Sequence, residues 1–383
     1  RIAEDDLKPR ESITAGIAST LTNLRAIPYE ARPMERILLS TMRAVSLLGQ
    51  GEIDRARPEL IAASFRQQDA ADRQRKAIES TTDSRSISRA NTTRATDEAR
   101  VELTAGLEQF QPYGDFVNPF TEWLQAVYFY GVAQDGEDLS RSRTAWRRLA
   151  GMVPGNEFVI RDLAMIDGLA SARARPAMTF VVFATGFGPR LEEQRLDLPL
   201  FLVNDTVDYF GVAIPVPAFN SRFERSLDVF AADAAVRTQM LADMDRIFVE
   251  QYNAELPAII AKTLLAASAK AATAFGLSAA TEDDETLNAI VRIVASLYQA
   301  SVNQADLRSW AGLPKQWAYA SVRTPDDGIV VIESAGERAS VEVVPGSVNL
   351  IYVRSLGPSD RLRIFSVDLG AAGVPASSKE GAG

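Results

Sequence analysis

From Met34 to Ala63, small and apolar residues recur at helical spacing on either side of a glycine turn, which limits this stretch to two packed helices. The first helix runs from about Met34 to Leu48, Gly49-Gln50-Gly51 turns the chain, and the second begins near Glu52. In Gly51-x-Ile53-x-x-Ala56-x-x-x-Leu60-x-x-Ala63 the small residues let two helices approach and the large ones fill the grooves between them. A second hairpin follows. Asn118-Pro119 opens a helix carrying Trp123, Leu124, Val127 and Tyr128, and Gln134-Asp135-Gly136 makes the turn. Leu139, Ser142, Trp146 and Pro154 then hold the positions of Ile53, Ala56 and Leu60 plus a terminal proline, and Asn156 begins a further helix to about Ala172.

This spacing matches the second half of a tetratricopeptide repeat, with Ala44 and Leu47 as the small and large residues of its first helix. Two imperfect repeats need neighbouring helices to cap them; residues 12–27 carry moderate helical periodicity. The polar stretch Arg66 to Arg100 reads as a long projecting helix or helical hairpin loosened at Ser80–Ser84, or as a solvated loop.

From Ala177 the period changes. Thr179–Phe183 reads as a buried strand, Gly186-Phe187-Gly188-Pro189 as a turn and Leu191–Asp197 as a solvated strand; Phe201–Val203 and Tyr209–Pro215 continue the β pattern. Ala234 to Ala272 reads as a long helix with a kink at Pro257, and Thr286 to Gln304 as another. Five short strands close the chain, at 317–322, 329–333, 340–344, 349–354 and 361–367. The expected class is therefore α+β: a tetratricopeptide-like helical domain (1–175), a middle of strands and long helices (176–312), a small C-terminal β-sandwich or sheet (313–370) and a flexible tail (371–383).

Composition removes whole classes of chemistry. The chain has no cysteine, so disulfides and thiolate chemistry are excluded, and no histidine, so Ser-His-Asp catalysis and most zinc chemistry are closed off. A net charge of -9 disfavours nucleic acid as a partner. The start at Arg1, without Met or an apolar leader, is expected of a processed or trimmed N-terminus. No cofactor, metal or catalytic residue is expected.

Candidate sites are few. Gly186 and Gly188 with Glu192, Glu193, Arg195 and Asp197 form the densest polar constellation, either a docking loop or a glycine turn beside a solvated strand face. Arg308 and Trp310, with Asp306, stand at a helix-to-strand crossing, where a buried ion pair under a tryptophan would fix the junction or Arg308 would bind a carboxylate. Trp123 and Tyr128, with Tyr113, Phe116 and Tyr130, would line a repeat groove or belong to the core. Glu282–Glu285 lacks the spacing of a calcium loop and suits a helix N-terminus. Pro257 to Ala280 is long enough to span a bilayer, but Lys262 and Lys270 inside it point to a buried or subunit-facing helix.

Taken in order, several blocks resemble a known group. They are Glu35–Leu39 with the Gly51-to-Ala63 repeat, Asp69 to Lys76, Asn118-Pro119-Phe120, Gly186–Pro189 with Arg195–Pro199, Ala305–Trp310 with Leu313-Pro314, and Leu350–Ser355. Together they resemble a family of bacterial periplasmic, outer-membrane lipoproteins with tetratricopeptide-like repeats, often encoded beside penicillin-binding-protein-activator-type and curli-secretion-type lipoproteins. The resemblance implies a periplasmic, outer-membrane-associated protein, joined to the membrane only through a lipid anchor that this sequence does not contain. It brings no catalytic residues. The expected function is a non-catalytic scaffold of a cell-envelope complex, meeting other envelope proteins or copies of itself; the alternatives are a regulator of a cell-wall synthase and a carboxylate-dependent glycan hydrolase, which needs two facing acids.

Overall fold

A computed structural model describes residues 29, 31–83, 100–101, 103–111, 113, 118–199, 209–232, 234–256, 259, 307–310 and 312–372. Outside them lie the expected helices at 12–27 and 286–304, the segment 84–99, Phe116, Phe201–Val203, Pro257–Ala258, the stretch 260–280, Glu282–Glu285, Asp306 and the tail beyond Ala372.

The chain is α+β. Helices α1 (Pro33–Gly49) and α2 (Ile53–Asp83) form the first hairpin, and α3 (Pro119–Val132) and α4 (Gly136–Met152) the second, followed by α5 (Glu157–Asp167). Each later start has a local cause. Asn118 accepts from the Phe120 N–H with Pro119 at the first helical position, Asp135 accepts from Glu137 and Asp138, and Asn156 accepts from Val159. These are the asparagine, aspartate and proline signals that the sequence displays.

The main sheet has five strands in the order β11-β10-β1-β7-β6. They are β1 (Met178–Thr185), β6 (Gln239–Asp243), β7 (Gln316–Arg323), β10 (Ser347–Ser355) and β11 (Arg363–Ala371). β1 lies parallel to β10 and antiparallel to β7, and all eight of its residues are buried. That burial is why it reads as an unbroken apolar run and not as an alternation. A second sheet, β5-β4-β8-β9, joins β4 (Asp228–Ala231) and β5 (Ala234–Arg237) to β8 (Ile329–Ser334) and β9 (Glu337–Glu342). β2 (Arg190–Pro199) and β3 (Tyr209–Ala218) pair only with each other among the described residues.

Two expectations need correction. Ala234 to Ala272 is not one helix: 234–237 and 239–243 are strands, and helix α6 occupies 244–256. Alanine, methionine and leucine favour a helix there, but pairing of β5 with β4 and of β6 with β7 outweighs that preference. The strands of 313–370 do not close on one another alone. They are divided between two sheets, each completed by strands from residues 178–243. The divisions at 175/176 and 312/313 therefore fall inside shared structure.

The helical layer and the sheet share one core. Phe120 stacks on Trp317 at 4.8 Å, Trp123 meets Tyr319 edge-on at 5.2 Å, and Tyr130 meets Phe180 at 5.7 Å. Gly131 allows the closest approach, since a Cβ there would lie 2.4 Å from the Leu369 side chain. Arg175 closes the layer from below. Its Nη1 donates to the carbonyls of Ala133 and Ala172, and its Nη2 to Gly131 and Ala371, at 3.0 and 2.9 Å. One buried guanidinium thus ties the end of α3 to the end of β11.

Candidate functional site: a buried lysine–aspartate network under the Gly186 turn

Where β1 ends, the chain turns through Gly186, whose φ is +63°. A side chain there would be strained and would also strike Phe223, 2.7 Å from the Cβ position. The turn is tied on every side. The Gly186 N–H donates to Ser355 O at 3.0 Å and the Gly188 N–H to Leu313 O at 2.8 Å, while Arg354 Nη2 donates to Gly186 O at 2.6 Å.

Beneath it lies Lys315, just before β7. Its N–H donates to Thr185 O at 2.9 Å and its carbonyl accepts from Met244 at 2.8 Å. Its Nζ donates to Asp243 Oδ1 at 2.9 Å and to Asp245 Oδ2 at 2.5 Å. Asp243 ends β6 and also caps α6, accepting the Asp245 N–H at 2.9 Å. The Lys315 ammonium further lies 5.4 Å from the centre of the Phe223 ring.

Burial pushes the Asp245 carboxyl up to about 6 against the pull of Lys315, and the Asp243 charge adds to the rise. Among the described residues Asp245 Oδ1 has no hydrogen-bond partner. The network can therefore hold or release a proton near pH 6. A space bounded by Gly188, Pro189, Met244, Trp310 and Leu313 takes about one water, and Lys315, Asp243 and Asp245 do not line it.

Two other buried carboxylates serve as joints. Asp162 on α5 accepts from the Tyr319 and Ser321 hydroxyls of β7 and from Arg161 Nε at 3.1 Å, and burial raises its carboxyl above the usual range. Glu35 on α1 accepts from the Tyr29 hydroxyl, the Arg32 N–H at 2.9 Å and the Trp310 N–H at 3.0 Å, fixing the segment before β7 to the start of α1. Among the described residues no three acids converge as metal ligands, and no helix is long and apolar enough to cross a membrane.

The residues singled out from the sequence separate. Gly186 and Gly188 sit on the network. Arg195 is exposed on β2, about 17 Å further along the strand than Arg190, and Asp197 lies beyond it opposite Gly211, so the polar constellation disperses. Trp123 and Tyr128 are 0 % and 1 % exposed; they are core residues and cannot line an open groove. The Arg308 guanidinium lies 5.4 Å from the Tyr29 ring, and Trp310 is held by its own N–H on Glu35. The tryptophan was expected to stack on that arginine; a different aromatic takes the place.

Sequence reasoning missed Lys315, Asp243, Asp245, Asp162 and Arg354. A signal existed for one pair: Asp243-x-Asp245 directly before an apolar helical run is a helix start. It was hidden inside a stretch read as continuous helix. The chain has no significant match among protein-family models, curated proteins or solved structures.

Proposed function

We propose that the chain is a non-catalytic scaffold of a bacterial cell-envelope complex, periplasmic and associated with the outer membrane, working through protein–protein contacts and self-association. In this reading α1–α2 and α3–α4 are tetratricopeptide-like hairpins, and the α+β body holds them rigidly.

The observation that carries the reading is the length of α2. Arg43 pairs with Glu59 at 2.8 Å and Arg66 bonds Ser40, which sets α2 antiparallel to α1. In that register α2 runs on past the start of α1 for about eleven residues, or roughly 16 Å at the helical rise. Phe65, on the flank of the same helix, is 67 % exposed. A helix that outruns its partner and bares a large aromatic suits docking. The buried acids support the reading from the other side, because each one described above joins two or more segments of the fold.

Pull-down from envelope extracts, with stoichiometry by mass, tests this. The intact chain is expected to retain a defined complex, and Phe65→Asp to lose much of it while melting normally. A stable monomer by light scattering, retaining nothing and hydrolysing purified peptidoglycan, would sink the scaffold and favour the hydrolase. A cell-wall synthase in the retained complex would make the regulator reading the correct one.

A further inference from the structure

The end of the sheet where β1 and β10 finish is also a surface. Above the Gly186 turn two phenylalanines each lie against an arginine. The Arg354 guanidinium is 5.6 Å from the centre of the Phe187 ring, and the Arg225 guanidinium is 5.9 Å from that of Phe223. Phe187 is 38 % exposed, although the glycines on both sides of it are fixed by main-chain bonds. An aromatic ring displayed on a tied turn loses little freedom when a partner covers it. Aromatic and arginine side chains are also the residues that most often dominate binding energy at protein interfaces.

Basic groups outnumber acids at this end, where Glu224 stands between Arg222 and Arg225 in the chain and Asp360, beside Arg361, pairs with Arg363 at 2.7 Å. Arg222, Arg225 and Arg361 are exposed on the loops around the turn, and none of the three has a carboxylate at ion-pair distance among the described residues. Several exposed arginines elsewhere are paired, as Arg141 is with Glu137, Arg147 with Asp167 and Arg237 with Asp228, while Arg173, Arg323 and Arg338 have no carboxylate at ion-pair distance among the described residues. The guanidinium groups of Arg222, Arg225 and Arg361, with Glu224 as the acid among them, make a locally basic patch on a chain of net charge -9. A guanidinium lying against a ring also keeps its N–H edge available for a carboxylate.

We propose that this end of the sheet is the docking face for an acidic protein segment bearing an apolar side chain. The apolar group packs on Phe187 while Arg222, Arg225 and Arg361 take the carboxylates. This rests on the scaffold reading and names the chemistry of one partner. An anionic lipid surface is disfavoured, because a single half-covered ring offers little area to bury in a bilayer.

The test uses the intact chain with two probes, poly-glutamate and a random glutamate–tyrosine copolymer, followed by fluorescence anisotropy. The copolymer is expected to bind more tightly than poly-glutamate. Arg225→Glu with Arg361→Glu should weaken both by about tenfold or more, as reversal of rim charges does, and added salt should weaken both. Phe187→Ala should remove the advantage of the copolymer, and Val344→Ala, at the other end of the sheet, should change nothing. Thermal melts confirm that each variant folds.

Binding that is absent, or indifferent to these substitutions, overturns the proposal. So does binding of phosphatidylglycerol vesicles through the same residues in place of the copolymer, or a self-association that Arg225→Glu abolishes, since the face would then belong to a lipid or to a second copy. Failure with the copolymer while the intact chain still retains its envelope complex overturns this face alone. Loss of that complex from the intact chain overturns both readings.

Discussion

Asp245 is buried with one oxygen on Lys315 and, among the described residues, the other without a partner. Its carboxyl titrates near 6 in the folded chain and near the ordinary value of 3.8 when unfolded. Between those values the folded state binds more protons, so this residue's contribution to stability is complete below about pH 4 and is lost as pH rises through about 6. Two pKa units correspond to a loss on the order of 3 kcal/mol. Asp162 and Glu122 are raised by burial too and act in the same direction. A comparison with Asp245→Asn isolates one residue from the others. The variant is expected to gain on the native chain by up to about 3 kcal/mol between pH 4 and pH 7, read from urea unfolding at each pH. Parallel curves across that range would mean that Lys315 fully compensates the burial. Nothing in the sequence around Asp245 announced this, because the partner stands 70 positions away and the shift comes from burial, which periodicity does not report.

Among the elements, the starts of α3, α4 and α5 were legible because caps are local: an asparagine or aspartate followed by helical spacing is both the signal and the cause. Edge strand β6 was not legible. Its residues favour a helix, and what makes them a strand is β7 together with the groups that close its outer edge. Asn156 Nδ2 donates to Met240 O at 3.0 Å, and the Asp243 N–H meets the Tyr113 hydroxyl at 3.0 Å. A capped edge does not recruit another strand. The β2–β3 hairpin handles the same problem differently. Pro215 and Pro217 share one parity on β3, so their missing N–H groups must face away from β2 and deny a donor to any incoming strand. Asn156 thus has two duties, which substitution can separate. Asn156→Ala loses the cap of α5 and the bond to β6, and is expected to cost about 2 kcal/mol. Asn156→Asp keeps the cap oxygen but loses the donor, and should cost less in stability while deprotecting the Met240 region in hydrogen exchange. Exchange in both variants unchanged from the native chain would assign the edge to Tyr113 alone.

At the scale of the whole molecule, the sequence displays a change from helical to strand periodicity near Ala177, and that change invites a domain boundary. The fold crosses it. Val181 pairs with Ile351 and Ala320, partners far along the chain that no local pattern specifies. The helices on one side of 175 bury Phe120, Trp123, Tyr130, Trp146 and Phe158 against Phe180, Trp317 and Tyr319 on the other. At about 2–3 kcal/mol for each large side chain taken from water, those five helical residues represent on the order of 10 kcal/mol. That is comparable with the entire stability of an ordinary domain. Residues 1–175 made as a separate chain should therefore keep helical circular dichroism yet bind a hydrophobic dye and lack a cooperative melt. Residues 313–370 alone should stay unfolded, because β1, which separates β10 from β7, is missing. Mixing 1–175 with 176–383 should restore a cooperative transition if the aromatic layer is what joins them. A sharp melt of 1–175 by itself, with Trp123 and Trp146 fluorescence already buried, would show that the helical hairpins hold a core of their own and that the sheet is an addition to it.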